Sequence, residues 1–208
     1  MSKNVFILDH PLAGSYLKLL RDKNSSPEVF RKQISRMVHM LAIEATCDLQ
    51  TNQESCETPI CQTQENVLSE RVGLVPILRA GIGMVDPFLD FIPQAEVMFI
   101  GMQRDEETHQ PIEYYNKLSQ SKPMDTVYII DPMLATGGSA ILTIDAIKKW
   151  GAKNIKFVGL IGSPEGVEAV HNEFPEIDIH LAALDERLNE NAYIVPGLGD
   201  AGDRIFNT

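Results

Sequence analysis

The sequence predicts an α/β fold: a mainly parallel sheet flanked by helices, with a small hood or hairpin region added to it. Three observations carry that reading. Continuous apolar runs at 72–77, 126–130 and 155–161 have the composition of strands buried on both faces. Helical stretches follow the last two of them, at about 139–150 and 165–174. Small, flexible and polar residues stand directly after two of the strands, where open parallel sheets gather their ligands.

The elements follow in order. Ser26-Pro27-Glu28 combines an N-cap hydroxyl, a first-turn proline and an early carboxylate. Phe30, Ile34, Met37, Val38, Leu41 and Ala45 then recur at helical spacing, so an amphipathic helix is predicted over about 27–46. His39, among them, reads as a solvated or packed side chain. Residues 50–66 are polar and rich in Thr, Gln and Glu, and read as short edge strands or a hairpin. The strand at 72–77 runs into a junction at Leu78-Arg79-Ala80-Gly81, and a further strand covers 96–100. Residues 102–117 are charged and polar, and are expected to form a mobile loop over a site. Lys148 and Lys149 suit the negative end of the helix at 139–150, and Gly151 suits its left-handed stop. The whole chain, 1–208, reads as one domain, with 185–208 as its hood.

Composition sets the boundaries of function. The 208 residues are enough for a full hydrophobic core, and 44% hydrophobic with 23% charged content is ordinary for a globular enzyme. A net charge of −11 argues against a general nucleic-acid-binding surface. An anionic substrate therefore needs local positive charge from particular arginines, helix ends or a metal. Cys47, Cys56 and Cys61 form no CxxC pair and read as reduced thiols of a cytoplasmic protein. No apolar run approaches about 18 residues, so no membrane span is expected.

Asp131-Pro132-Met133-Leu134-Ala135-Thr136-Gly137-Gly138-Ser139 points most directly at a ligand. A strand ends in an acid, a small loop follows, and a helix begins at or just after Ser139. Gly137 and Gly138 permit close backbone approach, while Thr136 and Ser139 offer hydroxyls to phosphate oxygens. Free N–H groups at the helix start suit an anion, with Asp131 beside the attached sugar. No Lys follows the second glycine, so a Walker-type nucleotide site is disfavoured. Arg79, between a buried strand and Gly81, suits a second anionic group such as diphosphate. Arg104 by itself reads equally as part of a solvated charge run. Near the end, Gly197-Leu198-Gly199-Asp200-Ala201-Gly202 spells GxGxxG, but only six residues remain, too few for a dinucleotide fingerprint. It reads instead as a wall of exposed backbone that can pair with the edge of a flat heterocycle. Asp200 is its one ionisable group, placed to meet a hydrated Mg²⁺ or a ribose hydroxyl.

Leu78-Arg79-Ala80-Gly81, the segment from Gly101 to Thr108, the loop 131–139 and the run from Tyr193 to Asp203 together resemble the uracil phosphoribosyltransferase family. The likeness extends from His10-Pro11-Leu12 to Phe206 and is weakest at about 51–70. It implies the type I phosphoribosyltransferase fold and a pentosyltransferase that makes UMP and diphosphate from uracil and 5-phospho-α-D-ribose 1-diphosphate (PRPP) with Mg²⁺. By the resemblance, Asp131, Pro132, Met133, Leu134, Ala135, Thr136, Gly137, Gly138 and Ser139 hold ribose and its 5′-phosphate. Arg79 and Arg104 bind the diphosphate. Ile194, Gly199, Asp200 and Ala201 receive uracil, with Asp200 also facing the sugar and the metal through water. Arg104, Asp131 and Asp200 are the implied catalytic residues. Pro132 stands where related transferases carry a second acid, a departure typical of the uracil branch. The resemblance further implies a homodimer or homotetramer, with GTP as an activator in some members. The competing reading is a non-catalytic nucleotide-sensing regulator on the same fold, and it would need a basic face that this acidic chain does not display.

Overall fold

The computed structural model describes residues 4–104, 111–118 and 122–208. In chain order the elements are β1 (Val5–Ile7), α1 (Pro11–Arg21), α2 (Pro27–Ala45), β2 (Thr51–Glu57), β3 (Gln62–Leu68), β4 (Val72–Leu78), a 3₁₀ turn (Ala80–Met84) and α3 (Val85–Phe91). Then come β5 (Glu96–Val97), β6 (Phe99–Arg104), β7 (Pro111–Lys117), β8 (Thr126–Ile130), β9 (Met133–Leu134) and α4 (Gly138–Trp150). The chain closes with β10 (Asn154–Gly162), α5 (Pro164–Glu173), β11 (Asp178–Leu184), β12 (Arg187–Leu188), β13 (Ile194–Val195) and α6 (Ala201–Phe206). The main sheet runs β1-β11-β10-β8-β4-β6-β7, with β5 beside β4 and β9 beside β10. Every pairing in it is parallel except β6 with β7.

Alternation along the central strands divides the core. Tyr128 and Ile130 face α2 and α3, together with Leu74, Val158 and Leu160. Val127 and Ile129 face α4 and α5, together with Val75, Phe157 and Leu181. The predicted central strands and helices are all present. Ser26 caps α2 by accepting from the Val29 N–H at 3.3 Å, as its sequence context predicts. Gly151 ends α4 at φ +102°.

The 50–66 region is a two-stranded hairpin, as its polar composition predicts, and every residue of β2 is exposed. Two differences from the sequence expectations have physical reasons. The 102–117 excursion is a hairpin in its stems, because β6 and β7 pair antiparallel from Phe99↔Lys117 to Arg104↔Pro111. Its tip, and with it any closing motion, lies outside the described residues. Helix α1 went unread because only Ala13 and Leu20 are buried along it, too few to reveal a helical period. Its N-cap is a histidine: His10 Nδ1 accepts from the Leu12 N–H at 3.1 Å.

Among the described residues no helix is long and apolar enough to cross a membrane. Cys47, Cys56 and Cys61 are exposed free thiols.

Candidate functional site

The loop after β8 is pinned to β10 and α5 through its backbone. The Asp131 N–H donates to Val158 O at 3.2 Å, and Pro132 O accepts from Leu160 and Ile161. Leu134 O accepts from the Ser163 N–H at 2.9 Å. Ser163 then does two things with one hydroxyl. It donates to Ala135 O at 2.6 Å and accepts from the Gly166 N–H at 2.9 Å, capping α5 and pinning the loop to it. Gly137 lies at φ +80°, and α4 begins at the next residue. The first N–H groups of α4 have no carbonyl of their own helix to reach. They border a small cavity of about 70 Å³ lined by Asp131, residues 133–140 and Phe157.

A larger cleft of about 410 Å³ adjoins it. It is lined by Ala80, by Asp131, Met133 and Ala135, and by Asn191, Ala192, Tyr193 and residues 199–202. The structure therefore brings three separated predicted segments to one place: the junction after β4, the loop after β8 and the glycine-rich tail. Close packing seals the first two together, since a Cβ on Gly81 would overlap the Ile130 carbonyl oxygen and lie 3.1 Å from Pro76 Cα.

The tail is shaped by backbone conformations that few residues adopt. The Val195–Pro196 peptide is cis, Gly197 lies at φ +66° and Gly199 at φ +78°. A helix does follow the glycines, but it is only six residues long. Asp200 caps it, accepting from the Asp203 N–H at 2.9 Å. Ile194 is buried with Leu198 and Ile205, so its side chain belongs to the core.

Electrostatics distinguish the two acids. Burial pushes the Asp131 carboxyl up from 3.8 to about 7, against a weak opposing hydrogen bond from the Met133 N–H at 3.4 Å. Its residue still keeps a half-buried opening to the cleft. Asp200 is exposed. Arg79 is half-exposed and already engaged: it bonds Asp203 at 2.9 Å and reaches Thr208 Oγ1 at 3.5 Å. Its guanidinium lies beside Gly202, where an added Cβ would meet Nη2 at 3.4 Å and Asp200 Oδ1 at 3.3 Å. The backbone of Arg104 ends β6, and its side chain lies outside the described residues.

Residues 7–208 match the family described as Uracil phosphoribosyltransferase. The chain belongs to the uracil phosphoribosyltransferase family. It is 52% identical over 206 residues to the uracil phosphoribosyltransferase of Roseiflexus castenholzii, covering 99% of each chain. A solved structure of a protein from Aquifex aeolicus superposes with a TM-score of 0.91 at 37% identity, over 97% of both chains. The adenine phosphoribosyltransferase of Trypanosoma brucei superposes with a TM-score of 0.60 at 13% identity, over 87% of this chain and 84% of that one. That last likeness is one of fold, and it identifies the predicted parallel sheet as the phosphoribosyltransferase sheet.

Sequence reading missed Ser163, Asn191 and Ala192. Ser163-Pro164-Glu165 repeats the Ser-Pro-Glu signature that announced α2, so the cap was there to be found. Asn191 and Ala192 carried no signal; only the folding of the β12–β13 turn brings them to the cleft. Among the described residues no three His, Cys, Asp or Glu side chains cluster to hold a metal. The donor set does fit a hard cation in part, because the carboxylates of Asp131 and Asp200 line one cleft.

Proposed function

We propose that this chain transfers the phosphoribosyl group of PRPP to N1 of uracil, releasing diphosphate. The observation that carries this is the single cleft shared by the loop after β8 and the glycine-rich tail. One wall suits a sugar phosphate and the other suits a planar base, which is what joining the two requires. Asp131 to Ser139 would hold ribose and its 5′-phosphate, with the phosphate in the small cavity at the start of α4. Uracil would sit against main-chain groups of Ile194, Gly199, Asp200 and Ala201. Arg79 and Arg104 would take the diphosphate, Arg79 exchanging its Asp203 partner for the ligand.

Breaking the anomeric C–O bond places positive charge on the ribose ring and negative charge on the departing diphosphate. Asp131, ionised once ribose hydroxyls donate to it, and Asp200 would favour the cationic ring. The two arginines would favour the leaving group, so preorganised charge and alignment do most of the work. Asp200 would help to hold Mg²⁺ through water, and the ion would supply further charge neutralisation for the leaving group. Closure of the β6–β7 hairpin would shield the ring from water. The chain as a homodimer or homotetramer is part of the same reading: the exposed β2–β3 hairpin has no core of its own, and an isolated hairpin is marginal in water. Activation by GTP belongs to the same reading.

The test mixes the protein with PRPP, Mg²⁺ and, in turn, uracil, orotate, hypoxanthine and adenine. UMP from uracil alone is the expected result. Product from another base, or none from any base, overturns the proposal.

A further inference from the structure

We propose that Arg21 and Asp185 are positioning residues that set the base-recognition loop through Gly197, an inference that rests on residues 194–201 receiving the base. Asp185 follows β11, and its N–H is fixed to Gly162 O at 2.8 Å, so the carboxylate is anchored on the sheet. Arg21 is the last residue of α1. The two meet as a forked pair: Arg21 Nη2 donates to Asp185 Oδ1 at 2.5 Å and Nη1 to Oδ2 at 2.8 Å. Their side chains are 23% and 3% exposed, so the pair is largely withdrawn from water.

What makes the pair more than a staple is its third member. Asp185 Oδ2 also accepts from the Gly197 N–H at 2.9 Å, and Arg21 Nη1 also donates to Gly197 O at 2.7 Å. One ion pair therefore uses both polar groups of one residue and fixes the peptide planes on either side of it. Gly197 needs that outside support. β13 ends at Val195 and α6 begins at Ala201, so neither a strand ladder nor a helix reaches it. Its φ of +66° and the crowding of any Cβ against Ile194 O leave no other residue able to stand there. Arg204 reinforces the same anchor, donating to Leu198 O at 2.8 Å and to Asp22 O at 2.6 Å just beyond α1.

The consequence is a division of labour along the tail. Gly197 is unavailable to the base, and the residues that reach the cleft, Gly199 to Gly202, begin two positions later. Turning the Gly197 planes swings those residues relative to the opposite wall. The phosphate loop hangs from β8, β10 and α5 instead, so disturbing the clamp should leave the 5′-phosphate cradle in place. The guanidinium is required as a planar fork with a spare donor, which a lysine ammonium cannot reproduce.

Initial-rate kinetics on Arg21→Ala, Arg21→Lys and Asp185→Asn test this, with KM measured separately for uracil and PRPP and with Tm alongside. Arg21→Ala and Asp185→Asn should raise KM for uracil roughly tenfold or more, the effect of losing a charge-assisted hydrogen bond. KM for PRPP should rise by a smaller factor than KM for uracil, because of the proposed PRPP contacts only Asp200 lies on the displaced segment, and Arg21→Lys should fall between Arg21→Ala and wild type. Lowered Tm with both KM values at wild type overturns the inference, leaving the pair merely structural. Arg21→Lys and Asp185→Asn decide the matter if the alanine variant does not fold. Gly199→Ala separates the two layers of the argument: if it leaves KM for uracil unchanged, the base does not lie on this loop and the proposed role falls with it.

Discussion

Gly137→Ala should damage sugar-phosphate binding, whereas Gly151→Ala at the other end of the same helix should damage stability alone. Both glycines are left-handed, at φ +80° and +102°, so each alanine carries a similar backbone penalty of about 1–2 kcal/mol. The surroundings differ. A Cβ on Gly137 would lie 2.9 Å from Gly166 O and 3.1 Å from Ala169 Cβ, whereas one on Gly151 would meet Pro123 Cγ at 3.3 Å. Crowding against the backbone of α5 adds about 1–3 kcal/mol at Gly137, for a total of about 3 kcal/mol. In a chain of this size each kcal/mol moves Tm by about 2–4 °C, so Gly137→Ala should melt roughly 6–12 °C lower. Relief of the overlap also shifts the loop that borders the small cavity. Displacements of that kind cost up to about a hundredfold when they misalign a reactant, and KM for PRPP should rise at least about tenfold. Thermal denaturation and initial-rate kinetics on the two variants decide it. If both melt lower while both keep the wild-type KM for PRPP, the loop does not cradle the substrate.

Asp200→Asn should separate fold from function. Asparagine caps a helix about as well as aspartate, so Tm should move by less than about 2 °C while Mg²⁺-dependent turnover falls at least about tenfold; wild-type turnover would remove Asp200 from the mechanism. Ser163→Ala deletes the α5 cap and strands Ala135 O without its donor, for a loss of about 1–2 kcal/mol read by denaturant titration, and an unchanged midpoint would contradict the double role of that hydroxyl. Asp131 should leave a mark on the pH dependence of stability. Its carboxyl is raised from 3.8 to about 7, so the folded chain is the tighter proton binder between those values. The associated stability is complete below about pH 4 and is lost as pH rises through about 7. Wild-type Tm should therefore fall relative to Asp131→Asn between about pH 4 and pH 7 and run parallel to it above that. Parallel curves would show that the carboxyl titrates normally.

Legibility followed burial and spacing. The strands at 72–77, 126–130 and 155–161 were readable because each is enclosed on both faces, so nearly every residue is apolar. Helix α2 was readable because a buried stripe recurs along 19 residues. Helix α1 buries two residues and β2 buries none, so hydrophobic pattern had nothing to report in either. The loop at 131–139 was legible for a different reason: glycines and hydroxyls after a buried strand are hard to justify except by a ligand.

The sequence by itself determined the sheet, the phosphate-type loop and the glycine-rich tail, because these depend on local composition and on short-range backbone freedom. It also determined the family, through runs long enough to be specific. Only the tertiary structure decided that the tail lies across from the loop rather than elsewhere on the sheet edge, because that placement depends on contacts between residues far apart in the chain. Arg21 meets Asp185 and Gly197 across more than 160 positions, and Arg79 meets Asp203 across 124. Arg21 and Asp185 are unremarkable in their own neighbourhoods, and Arg79, marked by its place after a buried strand, gave no sign of its Asp203 partner. The pairings come from geometry that exists only after β4, β11, α1 and the tail have folded onto one another.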